Sequence, residues 1–236
     1  SNAKCNACHA ALGIAPTFHS GQRNDAPTCV FCHNVNRVNS GWGVNTKDFV
    51  HAIHAAAKRT NKFSWEVSAG DTYWKTTYPG YLQDCEQCHV AGTYDFSATA
   101  SAAAVTNLLA TTVATGTMPA TVNVIKTGDE AVPGTYYSPF VTANAVYGSG
   151  FSYSGSTGVT TAAADTTLIV SPITAACFSC HDTTQAQAHM KQFGGAIYEA
   201  RSTALLKSET CLVCHGTASN VLNERVPTIK AVHRWW

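Results

Sequence analysis

The chain has 236 residues, a formal net charge of +1 at neutral pH, ten cysteines and ten histidines. Leu, Ile, Val and Phe total 45, about 19% of the chain, and 35 alanines swell the apolar fraction; its own side chains make a thin core for this length, so something else is expected to fill the interior. Near-zero charge excludes a generic electrostatic grip on nucleic acid, and with no apolar run of some 18 residues no membrane-spanning helix is expected.

In chain order, Ser1-Asn2-Ala3 reads as a tag remnant, and a first cysteine as early as Cys5 reads as the start of a domain cut from a longer protein. Cys5-Asn6-Ala7-Cys8-His9 follows, then His19 in a loop rich in Gly, Pro and Ser, then Cys29-Val30-Phe31-Cys32-His33. Asp48 through Arg59 predicts a helix, with an acid at its start, alanines in its body and cations at its end. It carries His51 and His54, three residues apart on one side, suited to two neighbouring metal centres. Cys85-Glu86-Gln87-Cys88-His89 comes next.

Residues 90–176 contain no Cys and no His and are rich in Thr and Ala. A short helix is expected near Asn107-Leu108-Leu109, and strands at Thr121–Lys126, Tyr136–Val141 and Thr167–Val170, the whole stretch serving as a surface insertion. After Cys177-Phe178-Ser179-Cys180-His181, a second helix is predicted from Thr183 to Phe193. Asp182 is its expected N-cap, Gly194-Gly195 its stop, and His189 lies on it. Cys211-Leu212-Val213-Cys214-His215 and His233 complete the series.

Every cysteine thus lies in a Cys-x-x-Cys pair followed at once by His, the attachment pattern of c-type haem. On a helical turn positions i, i+3 and i+4 share a face, so both thiols reach the two vinyl groups of one haem while the His reaches its iron. Zinc sites, redox dithiols and disulfides do not call for five following histidines, and the motif starts lie 24, 56, 92 and 34 residues apart, without the short regular spacing of paired zinc motifs.

Five proximal ligands, His9, His33, His89, His181 and His215, leave five further histidines: His19, His51, His54, His189 and His233. The equality points to five bis-His irons with no open position, and so to an electron carrier rather than a haem enzyme. Met118 and Met190 are the alternative distal ligands, and Trp65, Trp74, Tyr78, Tyr81, Phe178, Trp235 and Trp236 are expected to pack on porphyrin faces. Five haems on this length leave little protein between them, so electrons pass along a wire, at the low potentials of bis-His ligation. About ten propionates make the haem-loaded protein acidic, roughly −4 when ferric and −9 when ferrous by formal charge. The competing classes are a multihaem reductase with one open haem and a module whose haems serve only to organise the chain. The pentahaem nitrite reductases place Lys after one Cys-x-x-Cys, and no Cys-x-x-Cys-Lys occurs here.

The order of motifs and histidines resembles a pentahaem module of the OmcA/MtrC-type outer-membrane decahaem cytochromes. The carrying strings are His51-Ala52-Ile53-His54, Tyr78-Pro79-Gly80-Tyr81-Leu82-Gln83-Asp84-Cys85, Ser171-Pro172-Ile173-Thr174-Ala175-Ala176-Cys177 and Ala188-His189-Met190. The resemblance implies distal ligation by the same five histidines, a place at the cell surface with the periplasm second, and partners among other haem domains or redox proteins. Ferric or manganese minerals, or flavins, are the implied acceptors. The expected fold is a multihaem cytochrome c: few short α-helices and long irregular loops wrapped around five packed haems over a single domain, residues 4–236, with a small β/loop insertion.

Overall fold

The computed structural model describes residues 2–14, 19–65, 73–94, 109–126 and 134–216. The helices among them are short: α1 (Asn2–Cys5), α2 (Thr46–His54), α3 (Pro172–Phe178), α4 (Thr184–Gln192), α5 (Arg201–Ala204) and α6 (Cys211–His215). The strands are β1 (Val38–Asn39), β2 (Trp42–Gly43), β3 (Thr111–Ala114), β4 (Ser152–Tyr153), β5 (Thr160–Thr161), β6 (Leu168–Val170) and β7 (Glu199–Ala200). The chain divides into two compact units. One comprises Ser1–Asn34, Gly80–Leu108 and Cys211–Trp236, the other Val35–Pro79 and Leu109–Thr210.

The second unit is built on sheet. The β1–β2 hairpin turns through Ser40 and Gly41, whose φ values of 50° and 76° are the paired left-handed conformations of a tight two-residue hairpin. β3, β6 and β7 form an antiparallel sheet in that order, with an irregularity between Thr112 and Ala114. β4 and β5 pair separately, at exposed positions. All four residues of β3 are buried, and Thr112 donates its N–H to the Val35 carbonyl at 2.8 Å. Of the stretch expected as surface cover, β3 and β6 therefore run through the core.

Two of the three expected strands there are absent. The two segments share one backbone bond, from Tyr137 N to Asn123 O, and Pro139 has no N–H to extend a ladder. The third forms as β6. The expected helix near Leu109 lies mostly outside the described residues.

Helix ends follow side-chain chemistry. Asn45 caps α2, its side chain accepting from the Asp48 N–H at 3.1 Å, so the helix starts two residues before the expected Asp48 and closes in a 3-10 turn, Ala56–Lys58. α4 is capped by Thr183, which accepts from the Ala186 N–H, rather than by Asp182. Asp182 is drawn into the interior instead, for the reason given below. Gly194 stops α4 as expected, with a φ of 87°; a Cβ there would lie 2.1 Å from the Ser208 carbonyl oxygen.

All buried hydrophobic side chains among the described residues belong to the second unit. They fall into small groups, such as Trp42, Val44 and Phe63 with Ala52 of α2, and Phe178, Met190 and Ile197 between α3 and α4. Met118 and Met190 are each 8% exposed and fill such groups. Trp74 and Phe178 do the same, against Ile125 and Phe140 respectively, and so fill protein core rather than lie open to a porphyrin. Among the described residues, no helix is long and apolar enough to cross a membrane.

Candidate haem-binding sites

The five attachment motifs fold alike. In the first, Cys8 N and His9 N both donate to the Cys5 carbonyl, at 3.1 and 3.0 Å. The same pair of bonds recurs at Cys29 (3.2 and 2.8 Å), Cys85 (3.1 and 2.8 Å) and Cys177 (3.1 and 2.8 Å). The fifth motif is the single turn α6. Each motif is thus one helical turn, with its two thiols and its imidazole on one side.

Different flanking residues produce the same turn. Asn2 holds the first motif to the second within the first unit: its side-chain amide donates to Asn24 O and Asp25 Oδ1 and accepts from the Ala26 N–H at 2.7 Å. A proline at the start and Thr28, bonded to Asp25 O, begin the turn at Ala26–Phe31. Lys4 Nζ reaches the Glu86 carbonyl inside the third motif. The fourth motif ends α3, which begins at Pro172. There Glu209 caps the helix, Oε1 accepting from Ser171 Oγ and Thr174 N at 2.7 Å each, and Oε2 from Ile173 N at 2.8 Å. Glu209 lies two residues before Cys211, so the lead-in to the fifth motif is tied to the helix of the fourth.

In two of the five motifs the leading thiol is unlike that of a redox dithiol. Burial, first, raises the Cys29 thiol above its ordinary range, with Asp25 and the nearby Cys5 adding to it; burial likewise raises Cys85, with Asp84 adding. A redox Cys-x-x-Cys lowers its leading thiol instead. Phe31, Tyr81 and Val213, respectively 79%, 65% and 54% exposed, present apolar surface in the unit that holds four of the motifs, and such surface suits an apolar macrocycle.

The further histidines occupy distinct settings. His19 has a left-handed backbone, φ 47°, and its ring centroid lies 6.2 Å from that of His33, the planes at 46°. Two imidazoles on opposite sides of one metal, at nitrogen distances of about 2.0 Å, have centroids about 6.3 Å apart. On α2, His54 Nδ1 donates to the Val50 carbonyl at 2.8 Å, which makes Nε2 the nitrogen with the lone pair, the usual state of a histidine ligand. Its ring meets Tyr78 edge-on at 5.8 Å. His51 is half-buried one turn earlier. His189 on α4 lies 4.9 Å from Phe193. Burial lowers His89 below the usual histidine range and favours the neutral ring that a metal requires. Trp65 stacks on Tyr73 at 6.2 Å, while His233, Trp235 and Trp236 lie outside the described residues. The donor set fits covalent haem: pairs of thiols on a turn, each followed by an imidazole. Among the described residues no cluster of three or more His, Cys, Asp or Glu forms a metal-ion site of the zinc kind.

One polar cluster has no signal in the sequence. Arg59, just past the end of the α2 segment, is 4% exposed. Its guanidinium donates to the carbonyls of Phe178 (3.3 Å) and Ser179 (2.5 Å), the two residues inside the fourth motif, and meets the Asp182 carboxylate at 3.5 Å. Asp182 also accepts from the N–H groups of Thr60 (2.8 Å) and Asn61 (2.7 Å), which is why it leaves the end of α4 to Thr183. Burial lowers Arg59, and Asp182 acts against that shift. The Arg59 and Asp182 contacts join the segment of His51 and His54 to the turn of His181.

The family model for outer membrane cytochromes of MtrC/MtrF type, domains II/IV, matches residues 1–130 and 143–226. No curated protein and no solved structure matches the chain significantly. The match spans nearly the whole sequence, all five attachment turns included, and such proteins imply covalent c-type haem and electron transfer at the outer membrane or beyond it. The chain belongs to the MtrC/MtrF-like outer membrane cytochromes, as a domain of the II/IV kind.

Proposed function

We propose that residues 4–236 form one pentahaem domain that carries electrons along five bis-His c-type haems toward metal oxides or soluble shuttles outside the cell. The thiol pairs are Cys5 and Cys8, Cys29 and Cys32, Cys85 and Cys88, Cys177 and Cys180, and Cys211 and Cys214; the proximal ligands are His9, His33, His89, His181 and His215, and the distal ligands His19, His51, His54, His189 and His233. The observation that carries the reading is the repeated turn, whose first cysteine carbonyl binds both the second cysteine and the histidine N–H. The 6.2 Å between the rings of His19 and His33 supports their service on opposite faces of one iron.

Haem, when bound, supplies reversible one-electron chemistry. The chain's work is to hold and orient. The turns fix two sulfurs and a nitrogen on one side, and the Val50 carbonyl sets the tautomer of His54. Arg59 and Glu209 fix α3 and the fourth motif, so that ligands change little in position between oxidation states. Irons each held by two histidines of the chain would leave no site for substrate, and the domain would then conduct electrons rather than bind substrate at iron.

Intact mass and spin state test this. The mature protein should exceed the mass of the bare chain by five haems, and its ferric EPR spectrum should contain low-spin signals alone. Four or fewer haems in fully matured protein, or a high-spin signal from one iron, would sink the proposal; the second outcome would favour a reductase with an open haem.

A further inference from the structure

Within the second unit lies a small cavity of about 30 Å³, room for about one water molecule. Trp42, Asp48, Arg59, Phe178, Ser179 and Tyr198 are among its walls. Asp48 is the unusual one. Its Oδ2 accepts from Asn45 Nδ2 at 2.5 Å, whereas its Oδ1 is shielded from solvent and has no hydrogen bond among the described residues. The residue as a whole is half-buried. Gly43 leaves the carboxylate its space, since a Cβ there would come within 3.1 Å of Oδ2.

The charged and titratable neighbours are committed elsewhere. Lys47 donates to the Pro172 carbonyl at 3.0 Å. Arg59 is held by Asp182 and two carbonyls. The Tyr198 hydroxyl donates to Gly41 O at 2.7 Å, accepts from Ser138 Oγ at 2.9 Å, and is pushed by burial well above the usual phenol range, so it keeps its proton. Burial pushes the Asp48 carboxyl up to about 6, against the opposing effects of Lys47, Thr111, Asn45 and Arg59.

Position gives this a consequence. Asp48 precedes His51 by about one turn of α2, and Phe178 and Ser179 in the cavity wall are the interior of the fourth attachment motif. We propose that Asp48 is a proton-uptake site coupled to the arrival of electrons at the haems served by α2 and by Cys177 and Cys180. When an external reductant delivers one electron there, taking one ferric iron to ferrous, Asp48 binds one proton from solvent at its carboxylate and becomes the neutral acid; further electrons on these haems find it already protonated. Local charge is then unchanged. The driving force is Coulombic: an added negative charge in a poorly screened interior makes a nearby carboxylate costlier and its acid form more favourable.

The inference rests on the proposed haem ligation, and the test separates the two. Spectroelectrochemical titration of the haem-loaded protein, from about pH 5 to about pH 9, should find a haem whose midpoint falls as pH rises above about 6. The slope should approach about 59 mV per pH unit, the value for one proton per electron. Asp48→Asn should flatten that slope. Infrared difference spectra should gain a carboxylic-acid carbonyl band on reduction of the wild type, and lose it in the variant. Thr111→Val, which removes a nearby hydroxyl that lowers the Asp48 carboxyl, should move the onset of the slope to higher pH. An unchanged slope in Asp48→Asn, or no acid band in the reduced wild type, overturns the proposal even where all five haems are low-spin. Haems that are missing or high-spin overturn the ligation instead.

Discussion

His19 shows how much a single residue carries here. A left-handed backbone costs a non-glycine residue about 1–2 kcal/mol, yet His19 and Ser20 both adopt it, with φ of 47° and 59°. The turn directs the ring of His19 toward His33. His19→Ala should convert one iron, that of the haem attached to Cys29 and Cys32, from low-spin to high-spin and open it to carbon monoxide or cyanide. Peptide mapping should still find haem on that motif, because its thioethers and His33 are untouched. Met118→Leu and Met190→Leu should leave every spin state alone, since both side chains fill apolar groups of the core. A His19→Ala protein with all its irons low-spin would remove His19 from the ligand set.

Elements in this chain are too short to stand alone, and side chains from far along the sequence finish them. α3 has seven residues and takes its cap from Glu209, which satisfies two backbone N–H groups and the Ser171 hydroxyl. Glu209→Ala should cost about 1–3 kcal/mol in chemical unfolding of the haem-loaded protein. Arg59→Met should cost more, about 3–5 kcal/mol, because it leaves Asp182 charged and buried without its cation. Replacing both Arg59 and Asp182 by apolar residues should recover part of that loss, though the Thr60 and Asn61 N–H groups then lose their acceptor. A double-mutant cycle measures the coupling.

Across the molecule, burial and attachment chemistry separate. The second unit holds all the buried hydrophobic side chains found among the described residues and one attachment motif, whereas the other unit holds four motifs and none of those side chains. Hydrophobic burial among the described residues therefore supports the second unit from within. In chain made without haem attachment, hydrogen exchange should be slow at β3, β6 and α3 and fast throughout residues 2–14, 19–34 and 80–94. Equal protection in both regions would show that haem adds little to the stability of the motif-rich unit.

The amino-acid sequence alone determined the chemistry. Attachment of haem needs residues at i, i+3 and i+4 of one turn, so its whole signature lies within five consecutive positions, and all five copies fold as that turn. Short-range signals succeeded elsewhere for the same reason: the histidine-bearing helices α2 and α4 and the stop at Gly194 are readable within a few residues. Tertiary structure decided whatever depends on partners distant in sequence. Asp182 suits a helix cap by its type, but it lies beside Arg59, 123 positions earlier in the chain, where a buried cation and two backbone N–H groups hold it more strongly. Glu209 as a cap for α3, β3 as a buried strand and Asp48 beside a cavity carry no local signature. Each is set by which segments the fold brings together, and local pattern holds no record of that.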